Sequence, residues 1–213
     1  MRAVIFANGI MDSWPLDFDL SAEKDLVIAA DGGYHHCRRW QIEPHMIIGD
    51  MDSVAASDLA EIDRETTQIH RFPQEKDETD LDLAIRAARD RQADQIIILG
   101  AMGARWDMSF SNVLVLATPA LGAIDARILE GSYEFLCLHG HHKMAIRGKC
   151  GDVLSLIPLG GPVTGISLSG AAYPLNRETL AMGTTRGISN CLAQGRVEIE
   201  IESGQLLVII CRK

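Results

Sequence analysis

The sequence predicts an α/β protein: a doubly wound, mostly parallel sheet in an N-terminal domain, followed by a smaller C-terminal antiparallel β-sandwich. Three observations lead there. Short apolar runs alternate with helical stretches as far as about residue 130, after which the texture changes to brief alternating runs separated by glycine. The chain is also long enough, at 213 residues and 47% hydrophobic composition, for two cores. The expected division is 1–132 and 141–213, with a linker near Gly131 to Gly140 in which Tyr133 to Leu138 is an additional strand candidate.

Taken in order, Arg2–Ala7, Leu26–Ala30, His45–Ile48, Gln68–Phe72 and Gln95–Leu99 read as buried strands of a parallel sheet. The clearest helix has Leu81, Ala84, Ile85 and Ala88 at one-face spacing, and Thr79 with Asp82 forms a T-x-x-D capping pattern at its start. In the second half, Asp152–Pro158, Val163–Leu168, Gly195–Glu202 and Gln205–Cys211 read as strands. Residues Val197 to Glu202 alternate strictly between apolar and acidic, the pattern of a half-buried antiparallel strand, and Ser203-Gly204 reads as its hairpin turn.

A net charge of -9 and a pI near 5.2 leave no basic surface for an extended phosphate backbone, which argues against nucleic acid. A phosphorylated small molecule is compatible with an acidic chain when a divalent cation stands between them. Five scattered cysteines without a C-x-x-C pair read as buried thiols of a reducing, cytoplasmic protein. The apolar run Ala3–Ala7 is soon followed by Asp12 and reads as a first strand, and no run of ~18 apolar residues suggests a membrane span.

Polar residues concentrate just after the apolar runs, where an open α/β sheet binds its ligand. These are Asp31-Gly32-Gly33, then Gly49 to Ser53, then Lys76 to Asp80, then Gly100 to Asp107. Asp50 and Asp52, two apart, point the same way if that segment is extended, and Asp77 and Asp80 are three apart. Carboxylates ~4 Å apart repel by about 4 kcal/mol at an effective dielectric of 20, so such crowding calls for a cation, and oxygen-only ligands favour magnesium. Lys76 offers phosphate oxygens a point charge and Arg105 a planar fork. His139, His141 and His142 read as solvent-exposed, and Met102, Met108 and Met182 as packing residues.

The succession D-G-G, G-D-x-D-S, K-D-x-T-D and G-x-x-G-x-R-x-D with Asn112 following resembles the thiamine pyrophosphokinase family. Tyr173-Pro174-Leu175, Thr179-Leu180, Gly183 and Gly187-Ile188-Ser189-Asn190 continue the likeness, which covers almost the whole chain. Two positions depart from the family pattern: Ala104 replaces a second glycine before the arginine, and Met108 replaces a histidine after the aspartate. The tryptophan that packs on thiamine in eukaryotic relatives has no counterpart, since Trp14, Trp40 and Trp106 all lie in the N-terminal half.

The resemblance implies an enzyme that transfers pyrophosphate from ATP to the hydroxyl of thiamine, giving thiamine diphosphate and AMP. It implies Mg2+ held by Asp50, Asp52, Asp77 and Asp80, with Lys76 and Arg105 completing the catalytic set. ATP would be bound by Asn8, Asp31, Gly32, Gly33, Ser53, Thr79, Gly103, Arg105, Asp107 and Asn112, and thiamine by Ser189 and Asn190. It further implies a homodimer with shared active sites. A pyrophosphokinase for another small alcohol, such as a hydroxymethylpterin, and a catalytically silent thiamine- or nucleotide-binding protein are the alternatives.

Overall fold

The computed structural model describes residues 1–103 and 105–213, so Ala104 lies outside the described residues. The chain divides into two compact units, Met1–Gly131 and Ser132–Lys213.

In the first unit six strands, β1 (Arg2–Phe6), β2 (Leu26–Ala30), β3 (Met46–Gly49), β4 (Gln68–Arg71), β5 (Gln95–Leu99) and β6 (Asp125–Glu130), pair in parallel in the order β4-β3-β2-β1-β5-β6. The order reverses between β1 and β5, which puts the switch point of the sheet at their carboxyl ends. Helices α1 (Tyr34–Arg39) and α2 (Ala56–Glu61) cover one face, where Tyr34, Cys37 and Leu59 share a core with Val4, Phe6, Val27, Ala29, Ile47, Ile97 and Leu99. The intervening residues Ile5 and Ile28 therefore point to the other face. Helix α3 (Asp80–Asp90) packs on β1, β2 and β3 and buries Leu81, Leu83, Ala84, Ile85 and Ala88. Its start is fixed by the expected capping box, Thr79 accepting from Asp82 N while the Asp82 carboxylate accepts from Thr79 N.

Two details of this unit differ from the sequence reading. β4 is not a buried strand: three of its four residues are exposed, as suits the edge position. β6 is a sixth strand that the apolar pattern hides, because Asp125 and Arg127 occupy alternate positions and pair with each other at 2.9 Å.

The second unit is antiparallel: β7 (Tyr133–His139), β8 (His142–Arg147), β9 (Val153–Ser169), β10 (Leu175–Leu180), β11 (Asn190–Cys191), β12 (Arg196–Ile201) and β13 (Ser203–Cys211). β9 runs 17 residues without a break, pairing β13 and β11 along its first part and β10 and β12 along its second. The two runs expected at Asp152–Pro158 and Val163–Leu168 are thus one strand, bent at Gly160 and Gly165, both at positive φ. Both parts bury side chains in one core: Leu154 and Leu156 from the first, Val163, Ile166 and Leu168 from the second, with Val197, Ile199, Ile201, Leu206, Val208 and Ile210.

The segment Tyr133 to Leu138, placed in the linker with a strand as alternative, is β7. The cysteine reading needs correction: all five are free thiols, but only Cys37 is fully buried, where burial pushes its pKa well up, and Cys150 is exposed. His141 and His142 are exposed. Among the described residues, no helix is long and apolar enough to cross a membrane.

Candidate active site

The carboxyl ends of β2 and β3 bring three acids together. Asp31 ends β2 in a left-handed conformation (φ 44°) that opens a single 3-10 turn, Asp31–Gly33, leading directly into α1. After β3 the chain does not stay extended: Met51 has φ 67° and the Asp50 carboxylate accepts from Asp52 N at 3.0 Å. The two aspartates therefore converge by a tight turn and not by the alternation of a strand. Carboxylate oxygens of Asp31, Asp50 and Asp52 all lie within 4.8 Å of one another.

Asp80, the first residue of α3, lies beside the group next to Gly49. A side chain at Gly49 would meet Asp31 Cβ at 2.8 Å and Asp80 Oδ1 at 3.1 Å, so only glycine lets the end of β3 come this close to the two acids. Burial raises the Asp80 pKa, and Asp31 and Asp50 raise it further against the lowering influence of Lys76. Lys76 Nζ stands 3.1 Å from Asp80 Oδ1 without hydrogen-bond geometry, and Asp31 Oδ1 and Asp80 Oδ1 are both buried without a hydrogen-bond partner. Lys76 offsets the charge of Asp80, but a buried Asp31 oxygen without a hydrogen-bond partner beside the Asp50 and Asp52 carboxylates is unfavourable unless a cation joins them, so the residues present fit a hard divalent ion. Asp77, by contrast, is exposed and outside the three-carboxylate group.

A cavity of about 290 Å3 adjoins the cluster through Asp31 and Asp80. Asn8, Gly9 and Ile10 from the loop after β1 and Met102, Gly103 and Arg105 from the loop after β5 form further walls. These loops extend the β1–β5 pairing beyond the strands, with Gly9 N donating to Gly100 O at 2.7 Å and Ile10 N to Met102 O at 2.7 Å. α4 (Trp106–Val115) secures the second loop: Ser109 Oγ accepts from Gly103 N at 3.0 Å and Asn112 Nδ2 donates to Ala101 O at 2.7 Å. Asn112 thus lines the cavity with its amide nitrogen engaged by the backbone, and Thr79 does so with its hydroxyl engaged in the helix cap.

Arg105 is forked onto Asp107 at 2.5 and 3.2 Å, which raises the guanidinium pKa and lowers that of Asp107. Both side chains are largely exposed, so the pair is weakly held and the fork is free to exchange partners. Met108 also lines the cavity, 36% exposed. Ser53 is linked to Asn8, whose Nδ2 donates to Ser53 Oγ at 3.3 Å, and Gly32 packs so closely on the Asn8 side chain that a Cβ would overlap it.

Sequence reasoning did not pick out Ile10, Ser109 or Glu130. Ile10 was within reach, since it lies in the loop after β1 beside Asn8 and Gly9; Ser109 and Glu130 carry no pattern of their own. Glu130, at the end of β6, is pushed up to about 7 chiefly by burial, with Asp12 adding to the shift and Oε2 left without a partner.

The thiamin pyrophosphokinase catalytic-domain model matches residues 19–126, and the model of that family's vitamin B1 binding domain matches residues 141–206. The chain belongs to the thiamin pyrophosphokinase family. The thiamine pyrophosphokinase of Bacillus subtilis (strain 168) is 28% identical over 89% of this chain and 85% of its own length. Thiamine pyrophosphokinase 1 of Arabidopsis thaliana is 28% identical over 97% of this chain and 76% of its own. A crystal structure of the Bacillus subtilis thiamine pyrophosphokinase superposes with a TM-score of 0.88 at 26% identity, covering 100% of both chains.

Within the stretch matching the family's vitamin B1 binding domain, a second cavity of about 340 Å3 is lined by Leu156, Leu168, Tyr173, Pro174, Ile188 and Asn190, among others. Asn190 is buried and held by the backbone: Oδ1 accepts from Tyr173 N at 3.0 Å and Cys191 N at 2.9 Å, and Nδ2 donates to Tyr173 O at 2.7 Å. Ser189 is exposed, at φ 60°, and its N–H donates to Ser155 Oγ at 3.1 Å.

Proposed function

We propose that this enzyme transfers the pyrophosphoryl group of ATP to the hydroxyl of thiamine, releasing AMP and thiamine diphosphate. Membership in the thiamin pyrophosphokinase family makes it a transferase of that class. The observation that carries the residue-level reading is the convergence of Asp31, Asp50 and Asp52 within 4.8 Å, beside a cavity at the carboxyl edge of the sheet.

Asp31, Asp50 and Asp52, with Asp80 adjacent, would hold Mg2+, and Asp77 stands in reserve as an exposed acid at the mouth of α3. When bound, the ion neutralises charge on phosphate oxygens. In the transfer, the thiamine hydroxyl oxygen forms a bond to the β-phosphorus while the bond from that phosphorus to the α-phosphate oxygen breaks, and the hydroxyl proton is lost. Such transfers pass through a loose transition state with charge spread over oxygens, so holding and orienting the reactants does most of the work. Arg105 would leave Asp107 to fork onto phosphate, Lys76 would supply a second positive charge, and Asn8, Gly32, Gly33, Ser53, Thr79, Gly103 and Asn112 would shape the nucleotide site, several of them by fixing the loops and not by direct contact. Asn190 would hold Tyr173 at the rim of the thiamine cavity.

A cytoplasmic homodimer completes the reading. Association is supported by Trp106, Phe110 and Leu114, which lie on one face of α4 at 86%, 67% and 40% exposure, and by the exposed Tyr173 and Met182 in the second unit. Incubation with ATP, Mg2+ and thiamine should yield AMP and thiamine diphosphate in equal amounts. No AMP would favour a silent binding protein, and AMP formed only with a different alcohol would reassign the substrate.

A further inference from the structure

We propose that His35 and His36 are positioning residues that brace two loops of the site from one helix: His35 the acid-bearing loop after β3, His36 the glycine loop after β1. This rests on the reading of the acidic cluster as a divalent-ion site. Neighbouring residues on a helix point about 100° apart, so two successive side chains serve two different structures. His35 Nε2 lies 2.7 Å from Ser53 O and His36 Nε2 lies 2.8 Å from Gly9 O. A carbonyl oxygen only accepts, so each ring carries a hydrogen on Nε2 and donates it.

Both contacts lead into the site. Ser53 Oγ donates to Asp52 Oδ1 at 3.1 Å, so the peptide held by His35 is one step from a carboxylate of the cluster. Gly9 lines the cavity, and Gly100, to which its N–H donates, packs on the His36 ring so tightly that a Cβ there would stand 3.2 Å from Cδ2 and Nε2. Asn8 Nδ2 to Ser53 Oγ ties the two loops to each other. Neither histidine belongs to the core of α1, which is carried by Tyr34 and Cys37. The Asp50–Asp52 turn needs such a brace, because mutual repulsion of its carboxylates and the left-handed Met51 both favour opening it in the absence of a cation.

The test measures Mn2+ binding by electron paramagnetic resonance, steady-state kinetics in ATP, and thermal melting. It uses wild type, His35→Leu, His36→Leu and the glutamine variant of each, since glutamine can place an N–H near the Nε2 position. Expected results are Mn2+ affinity roughly five- to tenfold weaker in His35→Leu, and KM for ATP raised by roughly the same factor in His36→Leu with Mn2+ affinity near wild type; glutamine should restore most of each loss. Leucine variants that match wild type in both measurements overturn the brace. So does parallel loss of both, in step with a lower melting temperature and without rescue by glutamine. Failure of wild type itself to bind Mn2+ overturns the acidic-site reading and this proposal with it.

Discussion

The acidic cluster of the first unit and the cavity of the second treat buried polar groups differently. In the first, Asp31 keeps a buried carboxylate oxygen without a hydrogen-bond partner beside Asp50 and Asp52, and the buried Asp80 Oδ1 has only the Lys76 ammonium for company. In the second, the buried Asn190 makes three hydrogen bonds with the backbone of Tyr173 and Cys191, and the buried Asp152 accepts from Lys149 N and Lys213 N. A site left electrostatically incomplete is made to be completed by a charged ligand. One whose polar groups are already satisfied recognises by shape and by a pre-set backbone.

The sharpest way to break this contrast is to remove charge from the first unit. Asp50→Asn should reduce turnover about a hundredfold or more, while the melting temperature in metal-free buffer holds or rises by a few degrees as repulsion is relieved. Asp31→Asn should behave alike and Asp77→Asn should cost less, so a ranking with Asp77 first, in assays at saturating Mg2+, would move the ion toward α3. Asn190→Ala should do the reverse of Asp50→Asn. Leaving the Tyr173 peptide unpaired should lower the melting temperature and raise KM for thiamine about tenfold, with Mn2+ binding unchanged.

A smaller gain is expected from Met108→His. Met108 is partly exposed on the cavity wall, so a histidine there is not forced into the core and can donate to a phosphate; kcat should rise about threefold, and a fall in melting temperature without that rise would reject the phosphate-facing role. The smallest effect belongs to Glu130. Its folded-state carboxyl keeps a proton to about pH 7, against 4.5 when unperturbed. The folded state therefore binds more protons between those values, and stability falls as pH rises through that window and levels off above it. Glu130→Gln should be near neutral at pH 4 and, after allowance for partial solvent screening, stabilising by about 1 kcal/mol at pH 8, as read from urea unfolding at both pH values.

Much of the first unit was legible because parallel strands buried on both faces are plain apolar runs, and because α3 carries both its face and its capping box in sequence. The acids were legible as residues at strand ends. Their geometry was not: that Asp31 joins the cluster depends on its left-handed backbone, and the approach of Asp50 and Asp52 depends on a turn at Met51, where a strand would also have put them on one side. β7 was hard to separate from a linker because its inward position 134 is a glutamate, which Arg212, far along the chain, pairs with at 2.5 Å. β9 looked like two strands because Gly160-Gly161-Pro162 has the composition of a turn, yet here it makes a bend within one strand.

That continuous β9 has a consequence for how the second unit comes apart. One strand supplies hydrogen-bond partners to both layers, so neither layer can be peeled away without exposing backbone of the other. Amides on β13 and on β12 should therefore exchange with solvent through the same opening event, with similar free energies, despite lying in different layers. A chain cut between Gly160 and Gly161 would lose that shared fate, and the two layers would report separate openings.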